Sequence, residues 1–142
     1  MSAWLFYALL SAASAALVAI FGKIGLQQLD ANTATAIRAI VMALFLVAVV
    51  VVQGKLNLVG TVFADKKALL FIILSGVAGA LSWLFYFMAI KSGEISKVAP
   101  IDKLSVVFAV VLAVILFGEK VSLIAGIGIA LITGGALMVA LG

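Results

Sequence analysis

Five apolar segments, each about 20 residues long, fill nearly the whole chain and leave no stretch large enough for a water-soluble domain. At a helical rise of 1.5 Å per residue, about 20 residues cross the ~30 Å of bilayer hydrocarbon. Barrel strands need roughly half that length and alternate in polarity. The pattern therefore predicts an all-α membrane protein with five transmembrane helices, over about 3–28, 32–52, 68–90, 97–117 and 121–141. The first apolar run is uncharged from Ala3 to Gly22, too long for a signal-peptide core, and is read as a retained helix that continues past Lys23 towards Gln28. Asn32 is the expected N-cap of the second, and Pro100 is expected in the first turn of the fourth, where proline is tolerated.

Composition agrees. Hydrophobic residues make up 68% of the chain and charged residues only 10%, against about 25% charge in a soluble domain. A chain this apolar has too little polar surface to face water, so the lipid bilayer is its principal partner. The net charge of +4 comes from basic residues scattered singly or in pairs. That distribution suits lysines at anionic headgroups and argues against a nucleic-acid partner. With no Cys and no His, disulfides, Cys/His zinc sites, thiol nucleophiles and a Ser-His-Asp triad are excluded. No nucleophile–base pair or metal-ligand cluster is present, so neither enzymatic chemistry nor a metal or cofactor is expected. Proton coupling would have to use Asp or Glu.

The connections are short. Gln53 to Lys67 is the longest and reads as a solvated loop; Ser92-Gly93-Glu94 reads as a turn; Gly118-Glu119-Lys120 closes a tight antiparallel hairpin. Lys55, Lys66, Lys67 and Lys120 fall on one side of the membrane. Lys23, Lys91 and Lys97 fall on the other, joined by Arg38 and Lys103 if residues within the spans are included. Orientation follows an imbalance of Lys and Arg between the two sides. Here the sides are nearly balanced, which favours insertion in both orientations; the alternative is one orientation set by Lys66-Lys67. In lipid, small residues let helix backbones approach closely. Gly126, Ala130 and Gly134 form such a series on the fifth segment and are the candidate dimer seam, the alternative being packing within one chain.

The polar residues inside the spans converge in depth. Lys23 ends the first segment and Arg38 lies about two turns into the second. Trp83 and Tyr86 come just before the end of the third, and Asp102 and Lys103 lie early in the fourth. All sit roughly 6–10 Å inside the same interface. A charge at a helix centre costs about 2.5–3.5 kcal/mol to insert, so such residues normally face a cavity or an ion partner. Ser75, Gly79, Ser82, Tyr86 and Ala89 form a polar-or-small stripe at helical spacing, as do Asp102, Ser105, Ala109 and Ala113. Arg38, Trp83, Tyr86, Asp102, Lys103, Lys23, Ser82 and Ser105 are thus the candidate residues for solute binding or coupling. Three have structural alternatives: a snorkelling Lys23, an Arg38–Asp102 ion pair, an interface-belt Trp83. The basic excess in the layer favours an anionic or zwitterionic solute.

The sequence from Lys97 to Gly142, with Ala99-Pro100, Gly118-Glu119, Gly126 and Gly134-Gly135, resembles the C-terminal part of an EamA-type repeat of the drug/metabolite transporter superfamily. Lys23 and Arg38 sit where such repeats often carry basic residues, and the resemblance covers essentially the whole chain. Most members have ten helices in two five-helix repeats of opposite topology, and they move amino acids, other metabolites, drugs or sugar-nucleotides. The resemblance implies a half-sized, single-repeat member completed by an antiparallel homodimer or by a paired five-helix homologue. Asp102-Lys103 after Pro100 departs from many full-length relatives. No acidic residue occurs between Met1 and Gln28, so the first-helix glutamate of the small multidrug resistance transporters is missing. The expected function is secondary transport, as an exporter, of a small-molecule solute, a polar metabolite (amino acid, organic anion or drug-like solute), by alternating access in an antiparallel dimer in the plasma membrane. The alternative is a non-transporting helper, structural or lipid-handling subunit.

Overall fold

Backbone groups in hydrocarbon have no water to bond, so a spanning segment must satisfy them internally, and the chain does so as helices. The computed structural model describes residues 3–142, and among these there is no strand. The helices are α1 (Ala3–Gly25), α2 (Ala31–Val52), α3 (Val59–Ala64), α4 (Lys66–Ser92), α5 (Ile95–Asp102), α6 (Ser105–Phe117) and α7 (Leu123–Leu141), with a 3-10 turn at Leu56–Leu58 ahead of α3. Five stretches are long and apolar enough to cross a membrane: α1, α2, α4, α5–α6 taken together, and α7. Their large apolar side chains are mostly exposed, for example Trp4, Phe45, Ile115 and Leu131. On a soluble monomer such continuous apolar surface would drive association; here lipid is its solvent.

Local chemistry explains the helix ends, and several differ from the sequence expectation. The N-cap of α2 is Asp30, not Asn32: its Oδ2 accepts from the Thr33 N–H at 2.8 Å and the Thr33 hydroxyl at 3.0 Å. A carboxylate there answers both the unpaired first-turn N–H groups and the positive end of the helix dipole. Asp65 Oδ1 likewise accepts from the Ala68 N–H at 3.0 Å at the start of α4, and Ser122 Oγ accepts from the Ala125 N–H at 3.2 Å at the start of α7. α1 ends at Gly25 rather than running on to Gln28. Gly118 closes α6 with φ +65°, a left-handed conformation that only glycine adopts without strain.

Two expectations are corrected. The 53–67 connection is not a simple solvated loop, because Leu56–Ala64 is helical. The fourth span is not one continuous helix. It begins at Ile95, so Pro100 lies beyond the first turn and cannot donate to the carbonyl one turn back. The chain responds with tighter i→i−3 bonds, Lys103 N–H to Pro100 O at 3.1 Å and Leu104 N–H to Ile101 O at 3.0 Å. The helix restarts at Ser105.

The chain divides into two compact units. The first comprises the residues up to Lys23 and those from Ala89 to Gly142; the second runs from Ile24 to Met88. In the first, α7 packs against α5 and α6. Thr133 and Ala136 lie on the covered side of α7, while Gly126, Ala130 and Gly134 are exposed.

Candidate functional site

In the second unit, α2 carries Arg38 and α4 carries Trp83, Tyr86 and Phe87. The Arg38 guanidinium carbon lies 3.7 Å from the centroid of the Trp83 ring and 5.0 Å from that of Phe87. Trp83 meets Tyr86 edge-to-face at 5.7 Å and Phe87 at 5.7 Å, with Tyr86 and Phe87 6.1 Å apart. Positions 83, 86 and 87 are separated by three and four residues, so they share a helix face. A guanidinium seated on an aromatic face is held by the ring quadrupole while its in-plane N–H donors stay available. Asp102 forms its ion pair with Lys103, its neighbour in sequence. Arg38 is half-buried, Phe87 is buried and Ser82 is exposed. Sequence reasoning missed Phe87. Its signal was its position one turn after Trp83, on the face that also bears Tyr86.

In the first unit, Lys103 Nζ lies 3.1 Å from Asp102 Oδ2, and Ser105 opens α6 two residues later. These three residues bracket the interruption between α5 and α6. Breaks in membrane helices are tolerated where the backbone lies within protein or lines a water-filled cavity. The Lys103 side chain is 57% exposed and that of Asp102 33%. A pair this open exchanges partners at little cost.

Lys23, also in the first unit, does not snorkel away from the protein. Its ammonium donates to the Ile90 carbonyl and, at 2.8 Å, to the Gly93 carbonyl. It therefore meets carbonyls at the end of α4 and in the following turn, where the helix dipole is negative. Gly93 sits tightly there: a Cβ would come to 3.1 Å from both Ala89 O and Val98 Cγ2, so a larger residue needs these neighbours to shift by a few tenths of an ångström. The sequence reading placed Gly93 in a turn but did not assign its carbonyl to Lys23.

The candidate residues thus form three groupings: Arg38 with Trp83 and Tyr86 in one unit, and, in the other, Asp102 with Lys103 beside Ser105, and Lys23 on its carbonyls. No group of three or more acidic, His or Cys side chains suited to a metal occurs among the described residues. The EamA-like transporter family matches residues 2–141, virtually the whole chain. The chain belongs to that family. A protein from Sinorhizobium sp described as "Uncharacterized transporter in cobO 3'region" is 42% identical over 137 residues, covering 96% of each chain. That relative is therefore of nearly the same length. No solved structure matches. As an EamA-like transporter with five spanning segments, the protein is a multi-pass integral membrane protein and its general function is membrane transport.

Proposed function

We propose that this EamA-like transporter is a secondary exporter of a small polar metabolite, an amino acid or organic anion, working by alternating access as an antiparallel homodimer in the plasma membrane. The observation that carries the proposal is the Arg38 guanidinium seated on the Trp83 face within a membrane span, with no ion pair to an acidic residue of its own unit. A charge placed there at an insertion penalty of up to about 3 kcal/mol, and left without a counter-ion in its own unit, suits an incoming carboxylate or phosphate. Trp83 and Tyr86 then pack the apolar part of the solute. Within the other unit, Asp102 is the proposed coupling element, exchanging its Lys103 partner for a proton or an ion, with Ser105 beside it. Lys23 holds the end of α4, and Ser82 extends the polar stripe of that helix.

The dimer reading draws on the odd number of spans, the balanced loop charge and the state of α7. A Cβ added at Gly126 or Gly134 would meet nothing within 4 Å. Packing within the chain therefore does not require these glycines, although glycine weakens a helix by about 1 kcal/mol relative to alanine. Close approach of a second helix gives them a purpose.

The test is flux. Purified protein in liposomes is screened against amino acids and organic acids, and the active solute is then measured with R38A, W83A and D102N. Loss of flux in R38A with the dimer intact is expected. Undiminished flux in both R38A and D102N would remove the proposed site, and absence of flux for every solute tested would favour a helper or lipid-handling subunit.

A further inference from the structure

The connection between α2 and α4 has a character that loop composition alone does not explain. Gly54 (φ +67°) ends the continuation of α2, and Asp65 in extended conformation (φ −88°, ψ 93°) separates α3 from α4. Leu56–Ala64 is therefore an independent short helical segment. It contains no charge. The Thr61 hydroxyl bonds internally to the Leu58 carbonyl at 2.6 Å. Apart from Asn57, what the segment presents is mostly apolar: Leu56, Leu58, Val59, Val62 and Phe63 are all exposed, Phe63 at 65%.

Its flanks are basic. Lys55 precedes it and Lys66-Lys67 follow it, three cations against the single Asp65. Asp65 is engaged at the Ala68 N–H, and none of the three lysines forms an ion pair among the described residues. The segment joins the ends of two spanning helices directly, so the chain leaves and re-enters the bilayer within it. Apolar side chains between unpaired lysines, at the point where a chain meets the bilayer surface, complement one kind of partner. Acyl chains take the apolar face, and anionic phosphates take the ammonium groups.

We propose that Lys55–Lys67 is a membrane-surface anchor that lies in the headgroup region and binds anionic phospholipid through Lys55, Lys66 and Lys67. The short helix seats Leu58 and Phe63 at the acyl boundary. The lysines each strengthen attraction to an anionic leaflet by about fivefold. The anchor stands independently of which solute is carried.

The chain has no cysteine, so a single F63C substitution gives a unique site for a nitroxide label. In vesicles containing phosphatidylglycerol, the label is expected to be accessible to oxygen and protected from a water-soluble nickel relaxant. Separately, the unlabelled protein is expected to melt at higher temperature in phosphatidylglycerol nanodiscs than in phosphatidylcholine nanodiscs of the same acyl chains. The K55Q/K66Q/K67Q variant should lose most of that difference, and glycerol phosphate in solution should not reproduce it. A label open to the nickel relaxant in vesicles would overturn the anchor. So would a label shielded equally in detergent-solubilised dimer, which would assign the face to a second copy. Equal melting of the unmodified protein in the two lipids, or full stabilisation by soluble phosphate, would overturn the lipid assignment without requiring any variant to fold.

Discussion

The contact between Arg38 and Trp83 can be measured as a coupling energy, and its expected size follows from the geometry. A guanidinium over an indole contributes about 0.5–1 kcal/mol when exposed and about 2 kcal/mol when desolvated. At 3.7 Å from the centroid, with both residues half-buried, about 1–2 kcal/mol is expected. Single variants do not read this out. R38M loses the contact but also relieves the penalty of a charge in the bilayer, up to about 3 kcal/mol at a helix centre and less toward the ends. It can therefore leave stability unchanged or raise it. W83L loses the contact together with the packing of Trp83 on Tyr86 and Phe87, where each aromatic pair contributes about 0.5–1.5 kcal/mol. The double variant closes the cycle, because the charge penalty and the ring–ring packing cancel between its opposite sides. Reversible unfolding in mixed micelles of the parent, R38M, W83L and R38M/W83L should give a coupling of about 1–2 kcal/mol, roughly five- to thirty-fold in the equilibrium constant. A coupling below about 0.3 kcal/mol, the level at which unconnected sites add, would refute the seating of Arg38 on the indole.

Three further outcomes are expected. K23M should destabilise the protein by about 1–3 kcal/mol, because two charge-assisted bonds to the Ile90 and Gly93 carbonyls are lost while only the smaller insertion penalty of a charge near a span end is relieved; thermal melting in detergent checks this, and an unchanged melting temperature contradicts it. G134L or G126L should weaken self-association by about tenfold or more while helix content stays constant. Cross-linking yield and circular dichroism on the same samples separate the two effects, and a persistent dimer in both variants would move the seam off α7. A reporter fused at Gly142 should appear on both sides of the membrane; a single orientation would replace the homodimer by a pairing with an oppositely inserted five-helix homologue.

The spans were legible in the sequence because they depend on local quantities. An apolar run of about 20 residues must become a helix in lipid whatever surrounds it. The Trp83–Tyr86 pairing was readable for the same reason: residues three apart on a helix share a face. The ends of elements were less legible. Asp30 and Asn32 both suit an N-cap, and backbone geometry chose Asp30. Pro100 was placed one turn too early in its helix, so the interruption at Lys103-Leu104 was not anticipated.

What the sequence by itself determined is an all-helical membrane chain of five spans with family-specific marks around Pro100, Gly118 and Gly134. Tertiary structure alone decided which partner each polar group meets. Lys23 reaches carbonyls 67 and 70 residues away, and Arg38 rests on an indole from another helix. A cation in a bilayer must find some partner, and composition expresses that need. Carbonyls, carboxylates and aromatic faces compete on comparable energies, so the choice among them falls to whichever group the packing of the helices brings within about 3–4 Å.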